Sequence, residues 1–411
     1  MRTILSYGMG AESSALLARW IREPSTCPGP LSDLLVISAQ TGDEYEDTRE
    51  LVETHILPLL RAHKIRYVQV ARKGPLEADG ITVLSDTTEP DRLFIEGSYK
   101  LSDELRINGT VPQFGGTHRC SLKAKVFPIE RWLSENYSYP ARHAFGYNAD
   151  ETRRVQKSLA AEAKRMAFGF NAEEIKRIQR TREYDSSLRF SIFPLLEWGW
   201  NRARCLEYLK EQFGVVWRKS CCVYCPFNRL DEEALERQKA HPGQVADALM
   251  LEHGSLSMNP RGTLYPAKSL AQITQSSGNE PALRVFEETL SGSDWAVYRV
   301  RRLYHAAKDK SGATLPGSKG SVLRAVEQVS RILTRQEAGA CLLAFASPAD
   351  EIVEQRGITY VYRLRCGSQY PTREEFLVAA PAVVASKARY GMEWFEQQWE
   401  SPQLSLFPAA A

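Results

Sequence analysis

Short apolar runs alternate with segments of helical period through the first 220 residues. No other feature limits so strongly what the chain can fold into. Thr3–Tyr7, Leu34–Ala39 and Ile65–Val70 read as buried strands, and Arg142–Phe145 as a short one ending at Gly146. Between and after them, Glu12–Ile21, Thr48–His63, Leu122–Glu135 and Asn201–Glu211 have helical spacing, and a long polar helix is expected from about Asp150 to Met166. Strands that alternate with helices predict an α/β domain with a parallel sheet. Residues 72–115 are rich in Gly, Asp, Thr and Pro and read as an irregular loop near a site.

Beyond the cysteine cluster at 221–225 the character changes. Residues 231–345 read as mainly helical, Ile358–Leu364 as a strand and 387–399 as a helix. The expected organisation is therefore an α/β domain over 1–230 and a mainly α-helical domain over 231–411. Hydrophobic residues at 43% and charged residues at 25% suit a folded chain and exclude a mostly disordered one. No uncharged apolar run reaches the roughly 18 residues of a membrane helix. The opening residues enter a strand pattern without a signal-peptide pattern, so a cytoplasmic location is expected. Net charge is only +3. Ala296–Phe345, however, carries nine Lys or Arg against three acids. At helical spacing Arg324, Arg331 and Arg335 would share one face, which could meet nucleic-acid phosphates.

Two segments carry chemistry of their own. Ser6-Tyr7-Gly8-Met9-Gly10-Ala11-Glu12-Ser13-Ser14 follows a strand and opens a helix. Gly8 and Gly10 permit close backbone approach and unusual dihedrals, the helix start offers free N–H groups to an anion, and Ser13 and Ser14 add hydroxyls. The Lys of a Walker loop is missing. The second segment holds Cys221, Cys222 and Cys225, with Cys120 remote in sequence. Clustered thiols can bind an iron–sulfur cluster or zinc, or remain unligated. Cys205 reads as core, and Cys27, Cys341 and Cys366 as bystanders.

The first segment resembles the pyrophosphate loop of the ATP pyrophosphatases, S-G-G-x-D-S, with Gly8, Met9 and Glu12 as departures. Further segments are similar to the phosphoadenylylsulfate (PAPS) reductase branch of that family. They are Thr41-Gly42-Asp43-Glu44, Cys120 to Lys125 and Pro128, Gly146 to Glu151 and Arg154, Pro194-Leu195 to Trp198, and Cys222 to Cys225. The closest functional resemblance is to the DNA phosphorothioation ATP pyrophosphatases of the Dnd and Ssp systems.

The resemblance implies an adenine-nucleotide alpha-hydrolase-like (PP-loop) domain that binds ATP and Mg²⁺ through Ser6, Gly8, Gly10, Ser13, Ser14, Thr41, Gly42, Gly146 and Glu151. It implies catalytic roles for Ser13, Glu12, Lys125, Arg153 and Arg154. A [4Fe–4S] cluster on Cys120, Cys222 and Cys225 is also implied, with Cys221 as a candidate fourth ligand. The implied activity is an ATP pyrophosphatase that adenylylates an acceptor, a DNA backbone phosphate, for sulfur incorporation. A cysteine desulfurase or another sulfur donor would be its partner. The alternatives are a PAPS or adenylylsulfate reductase, a tRNA thiolation enzyme, and a nucleotide-binding scaffold of a phage or defence complex without turnover.

Overall fold

The computed structural model describes residues 2–112, 114, 119–137, 140–156, 189–228, 230–309 and 311–400. The chain divides into two compact units. One comprises Met1–Asp103 with Gly115–Val223, and the other Glu104–Phe114 with Tyr224–Ala411. The boundary expected near 230 falls at Val223, and a short segment from the first half joins the second unit.

The first unit is α/β with a mixed six-stranded sheet. Its strands are β1 (Arg2–Ser6), β2 (Leu34–Gln40), β3 (Arg66–Arg72), β4 (Ile81–Thr87), β5 (Ala141–Phe145) and β6 (Arg189–Ile192), in the order β4-β3-β2-β1-β5-β6. All neighbours are parallel except β3 and β4, which pair antiparallel. β2 is buried at all seven positions, as a central parallel strand with both faces covered must be. Leu5, Tyr7, Val36 and Tyr67 pack on one side with α1 (Ala11–Arg22), α2 (Glu46–His55) and α3 (Leu57–Ala62), represented by Leu16, Trp20, Val52 and Leu60. Ile4, Ile37, Val68 and Val70 face the other way, onto Trp132 and Leu133. Those two residues belong to Phe127–Asn136, which continues from Arg119–Ser121 through a π turn at Leu122–Val126.

Residues 72–115 are more regular than expected. They contain β4 and α4 (Leu101–Asn108). Of the helix expected from Asp150 to Met166, residues 152–156 are helical and the rest lies outside the described residues. After β6 the helix Arg202–Phe213 is capped by Asn201, whose side chain accepts from the Arg204 N–H, and it ends at Gly214 in the left-handed conformation.

The second unit corrects the expectation of a mainly helical domain. Helices between Glu232 and Gly292 precede a second six-stranded sheet, and two further helices, Arg335–Ala344 and Met392–Trp399, lie between and after its strands, the latter within the helix expected over 387–399. This sheet contains β7 (Trp295–Lys308), β8 (Thr314–Gln328), β9 (Glu351–Gln355), β10 (Ile358–Leu364), β11 (Thr372–Pro381) and β12 (Lys387–Ala388), in the order β12-β8-β7-β11-β10-β9. All its pairings are antiparallel. Buried arginines disguised the strand period. Arg301 pairs with Glu396, and Arg302 with Glu374 and Asn259, so both sit at interior positions. Pro316, Gly317 and Gly320 further suggested a break inside β8.

The expected cationic helix face does not exist. Arg324 lies in β8 and donates to the carbonyls of Asn108 and Gly109. Arg331 precedes the helix Arg335–Ala344, and Arg335 pairs with Glu287.

Candidate functional site

The strand order of the first sheet reverses at β1, which has β2 on one side and β5 on the other. In open α/β sheets the crevice beyond the carboxyl ends of the strands at such a reversal is the usual ligand site. The segment Ser6–Ser14 lies there. Tyr7 continues the sheet, its N–H donating to the Ile37 carbonyl at 2.8 Å. Its hydroxyl lies 3.0 Å from Ser14 Oγ, and burial pushes that phenol well above its ordinary value. Ser14 is therefore turned into the core, away from the role expected of it.

The unusual dihedral expected at Gly8 or Gly10 falls on Met9, whose φ is +62°. A non-glycine residue holds such a backbone only where its surroundings fix it. The Met9 side chain is buried, and Trp217 Nε1 donates to the Met9 carbonyl at 3.1 Å. Ser220 Oγ donates to the Gly8 carbonyl at 2.9 Å. Gly8 has another use, since a Cβ added there would meet nothing within 4 Å. It leaves space in front of the loop. Gly10 is the N-cap of α1 and no side chain caps that end, so the first N–H groups of the helix remain available to an anion.

These groups open onto a cavity of about 490 Å³. Ser6, Gly8, Gly10, Glu12 and Ser13 line it from the β1–α1 connection. Lys125, Gly146, Glu151 and Arg154 line it from the later segments. Gly146 packs directly on α1, because a Cβ there would lie 3.1 Å from Ser13 Cα and N. Arg154 pairs with Glu151 and lies 4.4 Å over the Tyr147 ring. The Asn148 N–H donates to Glu151 Oε2 at 3.1 Å. Arg153 is exposed and does not line the cavity.

Arg202, Lys219, Ser220, Tyr147 and Glu130 line the cavity too, and the sequence reading missed them. Arg202 Nη1 donates to Glu12 Oε1 at 2.7 Å. Only the position of Lys219 and Ser220 directly before the cysteine cluster hinted at a role.

Thr41 and Gly42 lie elsewhere, beside Cys222. Thr41 Oγ1 is 3.3 Å from Cys222 Sγ, and Glu44 bridges to Cys222. Gly42 has φ +86°, and a Cβ there would strike Lys100 Cγ at 2.7 Å, so glycine is required. Burial pushes the Cys222 thiol well up, the Glu44 and Asp43 carboxylates add to this, and the Lys125 ammonium opposes it. Cys221 is buried, while Cys120, Cys222 and Cys225 are half-buried at the surface. Among the described residues, no three His, Cys, Asp or Glu side chains come together as a metal-holding group.

Fold and site together define an α/β protein whose cavity, at a reversal of strand order, is lined by four cations and three carboxylates. Among the described residues no helix is long and apolar enough to cross a membrane. Compared with protein-family models, curated proteins and solved structures, the chain matches none.

Proposed function

We propose that the chain is an ATP pyrophosphatase that adenylylates an acceptor so that sulfur can then be introduced. The observation that carries the reading is the uncapped N-terminus of α1, opening onto a cavity also lined by Lys125, Arg154, Arg202 and Lys219. A triphosphate is the ligand such a combination suits, through backbone N–H groups at one end and four cations around it. ATP would enter with its Mg²⁺ as substrate. An acceptor oxygen attacks the α-phosphorus, the bond to the bridging oxygen of the β-phosphate breaks, and pyrophosphate leaves with the electron pair. The cations stabilise the charge that grows on the leaving group. Ser13, in the first turn of α1, adds a hydroxyl that now donates to the Gly10 carbonyl at 3.2 Å. Sulfur from a donor such as a cysteine desulfurase then displaces AMP.

A DNA backbone phosphate as acceptor rests on the sequence resemblance alone. The basic stretch Ala296–Phe345 lends it little, because Arg299, Arg301, Arg302 and Arg335 are engaged with carboxylates and Arg324 with carbonyls. The deciding experiment follows ATP labelled at the α-phosphate, with Mg²⁺, in the presence and absence of DNA. AMP and pyrophosphate are expected, with turnover raised by the acceptor. ADP and phosphate would overturn the reading.

A further inference from the structure

A second cavity, of about 220 Å³, lies wholly within the second unit. Its wall includes His253 from the helix Pro242–Met258, Trp295 of β7, Arg335, Gly339 and Leu342 of the helix Arg335–Ala344, and Thr359 of β10. The His253 ring is held edge-on by Phe286 and Trp295, each with centroids 5.9 Å away. Its Nε2 is buried and has no hydrogen-bond partner. A buried polar atom left unpaired is costly, and a ligand atom that bonds it would recover that cost. Burial, and then the charge of Arg335, lowers this imidazole to a pKa of about 4, although Glu287 opposes the shift. The ring is therefore neutral at neutral pH and offers one nitrogen as donor or acceptor.

Arg335 spans the rim. Its guanidinium lies 5.4 Å from the Trp295 ring centroid and donates to Glu287 at 2.7 Å. Both members of that pair are partly exposed, so the bond is weak and open to exchange for another carboxylate. Gly339 lies inside a helix, where glycine is disfavoured relative to alanine. A Cβ there would meet nothing within 4 Å, so this costly choice keeps the space open.

We propose that this cavity binds a small carboxylic acid with an apolar body about the size of one ring. The carboxylate meets Arg335, a polar atom of the ligand meets His253 Nε2, and the body packs on Trp295 and Leu342. An apolar cavity of about 150 Å³ accommodates benzene, so the volume here suits a ring and its carboxylate. The site is separate from the proposed nucleotide cavity, and its test does not depend on that reading.

The test uses benzoate as probe and benzyl alcohol as its uncharged counterpart, with the full chain and saturation-transfer NMR. Benzoate should bind in the millimolar range or tighter, and benzyl alcohol more weakly. Arg335→Gln should weaken benzoate by about tenfold or more, the loss expected for one charge-assisted hydrogen bond. Gly339→Leu should block both probes while circular dichroism shows the fold retained. His253→Phe, which keeps the ring but removes its nitrogens, should weaken benzoate. No benzoate signal at ten millimolar would overturn the proposal, as would equal affinity for the two probes. Binding that survives Gly339→Leu would overturn it too.

Discussion

Arg202 and Glu12, 190 positions apart, are joined at 2.7 Å, which ties the start of one helix to the first turn of α1 at the mouth of the larger cavity. The carboxylate already lies where the helix dipole favours it, and the guanidinium brings a cation to the same wall. Because the pair is partly exposed, Arg202→Ala should cost about 0–1 kcal/mol of stability. Pyrophosphate release should nevertheless fall by about tenfold or more if the cation acts on the leaving group. Thermal melts and a coupled pyrophosphate assay separate the two effects. A large loss of stability with unchanged turnover per folded molecule would make the pair purely structural.

Ser13→Ala tests the hydroxyl in the first turn. Its Oγ bonds the Gly10 carbonyl at 3.2 Å, a contact whose loss should change folding little. If the hydroxyl turns to the phosphates during reaction, turnover should drop by about 10²-fold, as for other donors aimed at developing charge. An unchanged rate under saturating ATP would remove Ser13 from the chemistry.

Gly8 and Gly146 make opposite predictions. Gly8→Ala meets nothing within 4 Å and should leave the melting temperature unchanged while crowding the ligand. Gly146→Ala places a methyl 3.1 Å from the Ser13 backbone, which cannot swing aside. It should cost about 1–3 kcal/mol, the usual range for overpacking. Denaturant titrations of both variants beside ATP-binding isotherms check the contrast.

Much of the first sheet was legible because its strands are apolar at nearly every position, as β2 shows. The second sheet was not, because Arg301 and Arg302 occupy buried positions in β7 that only their partners Glu396 and Glu374 make tolerable. A carboxylate 95 positions away leaves no trace in a local window. The same distance problem hid Arg202 and Lys219, whereas Gly8, Ser13, Lys125 and Glu151, expected from their segments, do line the cavity. Thr41 and Gly42 resembled nucleotide-binding residues, and the register of β2 carries them to Cys222.

Cys222 should behave as a poor nucleophile in the metal-free protein. Burial favours its neutral form, so little thiolate is present near pH 7 and alkylation should keep accelerating into strongly alkaline solution. Lys125→Ala removes a nearby charge that favours the thiolate and should slow the reaction further. Mass spectrometry after timed iodoacetamide exposure reads both rates. Rapid labelling of Cys222 at neutral pH would contradict the burial argument.

His253 should leave a signature in acid. Its folded value of about 4 lies below the ordinary 6.5, so between those values the unfolded chain binds a proton that the folded chain refuses. Stability attributable to this residue is intact above pH 6.5, is lost as pH falls toward 4, and levels off below it. Thermal melts across that window should slope less steeply for His253→Gln than for the unchanged chain. Parallel slopes would show that the ring is protonated in the folded state as easily as in water.

The bonds from Trp217 to Met9 and from Ser220 to Gly8 set an order of events during synthesis. Translation runs from N- to C-terminus, so the loop is made before the segment that holds it. The groups that hold its left-handed turn lie 208 and 212 residues later. A nascent chain that ends before Trp217 therefore has β1 and α1 in hand but lacks both of these bonds to the loop. The left-handed turn of this loop is therefore locked from both sides only when the first unit is almost complete.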